Sequence, residues 1–501
     1  MSFGPPPSVF TQSALAADRT ARKRRRTKLL GALAALVVVG LCAGGWLLSS
    51  AGDDSASADG KTAPVVQSPD DIRETIEKAP GSPEGQLVIE HNEENLSKST
   101  ETNPRYAPGT WATDKIFARG VADRIEGYRI KPTYDETAWT LKLGGHLCAT
   151  SRHVTADGRT AVVVQPPKAE GAETEGVCDQ VVFVDLNTGK KLWQKKMPSA
   201  QFAYVTNTNL TLTKGVVAVA WGRGSVAYDM KDGKQLWNST TVSKCEDKGF
   251  AGGRALLALV SCGEATDATY KVQRLEPRTG KPQWTYKVAS GVQAVYLPSS
   301  DPPVLAVAAG DSAVTDLISL DDHGEHLATM SLSGYDAKCG DRYYSSPYFG
   351  VTENCDGMVV GRNQAYVMSK ENIANDQPSD WIVAFDLKTG TTQGKFDGRW
   401  MQMVHPLRTS GDELLIYRRG AGTLAPAAVV SWNPRTDKET PYLFFQLPDD
   451  DEYELSDPEQ TDIVFEKGRI FFGARALVRD DDAPKDPVLS AIGVGSAGLK
   501  H

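Results

Sequence analysis

From about Thr110 to the C-terminus the chain is a succession of short apolar, β-branched and aromatic runs. Gly, Asp, Asn or Pro interrupts them every few positions, and helical periodicity is nearly absent. Runs of that length and composition predict strands, and their spacing predicts an all-β domain. One run, VVFVDLNTGKKLW (Val181 to Trp193), returns as SVAYDMKDGKQLW (Ser225 to Trp237) and as KVQRLEPRTGKPQW (Lys271 to Trp284). In each copy an apolar strand ends on an acid (Asp185, Asp229 or Glu276) whose carboxylate is placed to accept turn amides. A glycine four residues later (Gly189, Gly233 or Gly280) supplies positive φ at little steric cost. The chain reverses there, and a tryptophan (Trp193, Trp237 or Trp284) follows on the returning strand. Each copy therefore predicts a β-hairpin with an aromatic anchor.

The turn position recurs at Gly189, Gly233, Gly280, Gly324 and Gly390, then at Asp437 in SWNPRTDKE, with spacings of 44, 47, 44, 66 and 47. A period of 40 to 50 residues with one hairpin per unit predicts β-propeller blades rather than a sandwich. The long interval holds Cys339 and Cys355 and a polar insert, SKENIANDQPSD. Trp139, Trp193, Trp237 and Trp284 are expected between neighbouring blades, each burying on the order of 200 Å². If WTLKL (Trp139 to Leu143) completes the last blade, the ring has seven blades, the favoured count. If RIEGYRI (Arg124 to Ile130) is a further inner strand, it has eight.

These residues resemble the pyrroloquinoline-quinone-type (PQQ-like) propeller repeat: a strand, Asp, two residues, Thr-Gly, then Trp four later. Asp185 to Gly189 with Trp193 fits fully. Asp229 to Gly233 with Trp237 has Asp232 for Thr, Glu276 to Gly280 with Trp284 has Glu for Asp, and Asp386 to Gly390 lacks the Trp. The resemblance covers about residues 110 to 495 and implies a propeller of four-stranded blades. Eight blades would match the propeller lipoprotein of the outer-membrane barrel-assembly machinery. It implies little about function, because turn and Trp are scaffold.

Charge separates the head of the chain from its body. Net charge is -8, but residues 1–28 carry seven Lys/Arg against one acid, so the remainder carries -14. A body that acidic repels phosphate backbones, which argues against a nucleic-acid partner. Between them lies LLGALAALVVVGLCAGGWLL (Leu29 to Leu48), twenty uncharged residues, long enough as a helix for a bilayer core. The preceding RKRRRTK predicts a cytoplasmic N-terminus and an extracytoplasmic body. A signal peptide cleaved near Ala56 to Ala58 is the competing reading. The expected organisation is a disordered cytoplasmic tail (1–28), a transmembrane helix (29–48), a flexible linker (49–109) and the propeller (110–501). Within the linker QLVIEH (Gln86 to His91) has the pattern of a short strand. The Ala- and Gly-rich style fits a high-GC Gram-positive, actinobacterial source.

Apart from Cys42 there are six cysteines, an even number that fits an exported, disulfide-bonded domain. Six allow fifteen pairings, and spacing favours neighbours: Cys148 with Cys178, Cys245 with Cys262, Cys339 with Cys355, each inside one blade. No CxxC or HxxxH supports metal binding. His323 and His326 fall in a hairpin turn, and the acidic run Pro448 to Asp462 lacks the ligand spacing of a calcium loop. GxxxxGK[ST] and GxSxG are both absent.

Three functions follow. The favoured one is a non-catalytic binding scaffold of the bacterial cell envelope, docking an unidentified protein or envelope polymer, with no cofactor. The second is a quinone-dependent dehydrogenase using PQQ and Ca²⁺. Such enzymes are similar to one another in carrying adjacent, disulfide-bonded cysteines, a carboxylate base and a Ca²⁺ held by Glu, Asn and Asp, and this chain has no adjacent cysteines. The third is an extracytoplasmic sensor, for which a 28-residue tail is too short to fold as an effector.

Overall fold

Each blade is a sheet with two apolar faces, and that requirement organises the whole ring. In the computed structural model, residues 67–93, 104–131, 136–168, 176–240, 244–263, 267–310, 313–340, 352–374, 377–422, 424–447, 450–479 and 487–497 are described. They form eight four-stranded antiparallel sheets. The first blade is Thr110–Ala112, Ile116–Val121, Arg124–Arg129 and Thr137–Lys142. The second to fifth follow in chain order from His146–Thr150 to His326–Ser331. The sixth spans Met358–Val360 to Thr392–Asp397 and the seventh Val404–Ser410 to Lys438–Phe445.

The eighth blade takes three strands from the C-terminal region (Thr461–Glu466, Arg469–Ala474, Val488–Ser496). Its outermost strand, Gly85–Glu93, comes from the N-terminal side. The ring is thus closed by pairing the two ends of the chain. Fully buried Arg119 of the first blade reinforces the seam by donating to the carbonyls of Ala474 and Ser490.

Burial follows radial position. The second strand of the third blade, VVAVA (Val216–Ala220), is buried at every residue. The outer strand of the second, KKLWQKK (Lys190–Lys196), buries only Trp193. Instead of one central core there are eight apolar clusters among the described residues, each in the wedge between adjacent blades.

The repeat residues explain how those wedges are held at their outer edge. At Gly189 the amide donates to the Asp185 carbonyl at 2.8 Å, while the carboxylate accepts from the Asn187 amide and the Thr188 hydroxyl. Asp229 and Glu276 cap their turns in the same way, accepting from the amides of Lys231 and Thr279. Each tryptophan then lies over the turn glycine of the next blade: Trp139 on Gly189, Trp193 on Gly233, Trp237 on Gly280, Trp284 on Gly324. Two indoles also donate across the gap, Trp193 to the Met230 carbonyl (2.9 Å) and Trp237 to that of Pro277 (2.8 Å).

Where the tryptophan is missing, its neighbours change. The turn at Gly390 meets Ala328 and Thr329 of the fifth blade. The sixth blade has Gly394 in the tryptophan position, and Trp432 of the seventh reaches into the space, donating to Asp437 at 3.0 Å. Asp437 holds positive φ (54°) in place of glycine.

Four expectations change. The ring has eight blades, the larger of the two counts, because Thr137–Lys142 completes the first blade instead of the last. RIEGYR (Arg124–Arg129) is that blade's third strand rather than an inner one. Gly85–Glu93, in the stretch expected to be linker, is a blade strand. The disulfides join Cys148–Cys178, Cys245–Cys262 and Cys339–Cys355, but the third lies in the connection between the fifth and sixth blades, not inside one. No described helix is long and apolar enough to cross a membrane; Leu29 to Leu48 and the tail 1–28 lie outside the described residues.

Two outcomes test this account. Gly233 (φ 68°) and Gly411 (φ 62°) share a left-handed backbone, but of the two only Gly233 would bring a Cβ against neighbours, the flexible end of Lys195 at 2.7 Å and the Trp193 ring at 2.8 Å. Gly411→Ala should cost about 1 kcal/mol from backbone alone and Gly233→Ala roughly 2 to 4 kcal/mol, read by urea denaturation. A chain starting at residue 94 should lose the seam strand and aggregate through the exposed edge of Val488–Ser496, whereas one starting at Gln67 should remain monodisperse by light scattering.

Candidate functional site at the ring axis

The innermost strand of every blade faces the axis, so whatever the chain places there meets several blades at once. The connection from the fifth to the sixth blade leaves the ring at Leu332 and returns at Met358. Within it Lys338–Cys339 pairs with Cys355–Asp356 as a two-stranded ribbon, locked by the disulfide. Residues 352–356 lie against the inner strands. The Thr352 amide donates to Asn209 of the third blade (3.0 Å), and its carbonyl accepts from the Leu297 amide of the fifth (2.7 Å). Gly249 of the fourth blade is required here: a Cβ would stand 2.0 Å from the Thr352 hydroxyl.

Glu353 goes deepest. Its carboxylate accepts from the Thr211 hydroxyl (2.9 and 3.0 Å) and the Gly252 amide (2.9 Å), and lies 3.2 Å from His153 Nε2. Arg152 donates to its carbonyl at 2.8 Å. The side chain is buried, which opposes ionisation, yet His153, the Arg152 guanidinium and the Gly252 amide hold the carboxyl below its usual range.

The other flank of the ribbon meets the eighth blade. Asp356 pairs with Arg475 (3.1 Å), which also binds Asp462 (2.8 Å), and Lys338 reaches Glu459 (2.7 Å). Burial pushes Asp356 up to about 6 against the pull of Arg475, with Asp462 adding to the rise. Burial, with Arg475 and Lys338 nearby, pushes His405 down to about 4.

The opposite end of the axis is crossed by the N-terminal segment preceding Gly85. Asp70 meets Arg159 (2.6 Å) of the second blade, and Glu74 meets Arg254 of the fourth. Arg73 binds Glu466 (2.9 Å) of the eighth blade and Asp114 of the first. Glu77 accepts from the Lys467 and Gly468 amides (2.8 and 3.0 Å) and pairs with Arg408 of the seventh blade. One end of the axis is therefore plugged by the disulfide ribbon and the other is strapped.

Sequence reasoning located the scaffold residues but missed Glu353, His153, Thr211 and Asp356. The available signal was the 66-residue interval with its flanking cysteines. The described histidine and acidic-run candidates resolve as exposed or paired groups, and Pro448 and Asp449 lie outside the described residues. His326 bonds Thr329 within its hairpin, while Asp457 and Asp462 bind Arg419 and Arg475. One described cluster, His91, Glu93 and Glu126, has metal-like spacing. However, the Arg124 guanidinium bridges Glu93 (2.8 Å) and Glu126 (2.6 Å) and takes the cation's place.

The residues present do not fit PQQ and Ca²⁺. The disulfide partners stand 30, 17 and 16 positions apart, never adjacent, and among the described residues the axial carboxylates Glu353 and Asp356 are engaged by the chain's own donors.

Asp356 yields a pH test. The folded chain binds its proton more tightly than the unfolded one, so its contribution is present below about pH 4 and lost as pH rises through about 6. Asp356→Asn should flatten that part of the stability curve relative to the native chain, measured as urea midpoints across this range.

A family model described as "Outer membrane protein assembly factor BamB" matches residues 123–295 and 178–393, together more than half of the chain. Among solved structures, BamB from Moraxella catarrhalis is similar at 12% identity and a TM-score of 0.43, covering 77% of this chain and 96% of that one. The quinohemoprotein alcohol dehydrogenase ADHIIG from Pseudomonas putida HK5 is similar at 12% identity and 0.46, covering 85% and 78%. The computationally designed Ika8 protein is similar at 12% identity and 0.44, covering 82% and 99%. No curated protein matches. Repeats matched across residues 123–393, closed into a ring of eight four-stranded blades, establish that the chain belongs to the PQQ-repeat propeller family described as outer membrane protein assembly factor BamB.

Proposed function

We propose that this chain is a membrane-anchored, extracytoplasmic, non-catalytic scaffold that docks a protein or envelope polymer on the loop-bearing face of its ring. The observation that carries the reading is the filled axis. Where a propeller would enclose a small molecule, residues 352–356 already satisfy the inner strands of four blades. What remains for recognition is surface. In antiparallel blades the loops joining consecutive blades share a face with those joining second to third strands. That face exposes Phe202 and Tyr204 after the second blade, Trp400 after the sixth and Leu424 within the seventh. Arg223 lies 4.2 Å over the Phe202 ring. Exposed aromatics with arginine are the residue types enriched at protein interfaces.

Anchoring is supported by the uncharged segment Leu29 to Leu48 behind a basic run, and export by three disulfides. The matched family's description as an outer membrane assembly factor supports an envelope role.

The test is site-specific photo-crosslinking in cells from positions 202 and 400, with exposed Leu192 on the outer rim as control. A discrete adduct from the loop face but not from position 192, in the membrane fraction, is the expected outcome. Dye-linked alcohol oxidation after addition of PQQ and Ca²⁺ would instead favour a dehydrogenase.

A further inference from the structure

The contacts of Glu353 have the form of a ligand in a site rather than of a residue within its own fold. The donors belong to three rigid blades. Thr211 lies mid-strand in the third blade, paired with Ala218. Gly252 follows the inner strand of the fourth, and its carbonyl accepts from Ser300 of the fifth at 2.5 Å. His153 follows the inner strand of the second, held by its amide to Ser151 (3.1 Å) and its carbonyl to Thr160 (2.9 Å). None of those supports involves Glu353. The carboxylate itself arrives from a connection that belongs to no blade and is closed at its neck by Cys339–Cys355.

From this independence we infer that the hydroxyl of Thr211, the amide of Gly252 and the imidazole of His153 form a preformed carboxylate-binding socket. The chain fills it with its own side chain, and the socket takes an external carboxylate when that side chain is gone. A buried carboxylate that accepts from a hydroxyl and an amide and faces an imidazole meets the requirement that a desolvated charge find several hydrogen bonds. Tethering supplies the occupant at high effective concentration, so an acidic group from outside competes only when the tether or the side chain is altered. The inference concerns the socket alone and does not depend on the docking face proposed above.

The experiment uses the full-length chain in detergent. Glu353→Ala removes the occupant and leaves the donors. Its melting temperature is measured in sodium acetate and in sodium chloride at equal ionic strength, and with the capped tripeptide Thr-Glu-Asn. The expected result is a rise of a few degrees in acetate over chloride, absent in the native chain and in Glu353→Gln, whose amide fills the space. A socket for small acids responds fully to acetate, whereas one that reads the peptide responds more to the tripeptide at the same concentration. Equal melting in acetate, tripeptide and chloride would overturn the inference. If Glu353→Ala folds only when acetate or tripeptide is present, the inference stands. If it folds in none of the three while Glu353→Gln folds, the inference fails, because a preformed socket must recover with a carboxylate.

Discussion

Covering both faces of each sheet is the constraint from which the rest of this structure follows. A strand such as VVAVA, buried at every residue, is stable only between two neighbours, and each neighbour has the same need. The requirement propagates until the last blade meets the first, so the favourable burial is completed only when the ring closes. That places unusual weight on the seam, where Gly85–Glu93 pairs with Val488–Ser496 and Arg119 ties the first blade to the eighth. The tryptophans on Gly189, Gly233, Gly280 and Gly324 serve the same closure by filling the wide end of their wedges.

The sequence carried this scaffold openly because its determinants are local. An acid, a glycine and a tryptophan at fixed offsets specify a hairpin without reference to distant residues, and Asp185, Gly189 and Trp193 do so in a few positions. Blade count was harder for a physical reason. The first and eighth blades lack the turn signature, and the strand that completes the ring sits in a polar stretch whose partner is about 400 residues away. Register of that kind is set by closure, not by local propensity.

The axis was illegible for the same reason in stronger form. Glu353 is one glutamate in a loop, and nothing near it in the sequence marks it as buried. It becomes the occupant of a charged site only when Thr211, Gly252 and His153 arrive from three blades. The cysteines flanking it did signal an insertion, yet they read as a staple inside a blade. The ring has no strand available for them, since four strands complete each sheet and the ribbon falls outside that count.

Sealing the axis also changes what the ring can be selected for. A propeller whose centre binds a small molecule must conserve inward-facing polar groups for that ligand. Here those groups answer to the chain's own plug and strap, and their substitution would first loosen the ring. On the proposed reading, recognition would fall to the side chains of Phe202, Tyr204, Trp400 and Leu424, which are exposed and belong to no wedge core, although Met197, Ala200 and Ala203 of the same connection as Phe202 do. On that reading stability and specificity fall on different atoms of the same blades: turns and tryptophans hold one face and the rim, and on the other face the exposed side chains, not the buried residues of the same loops, are left for a partner.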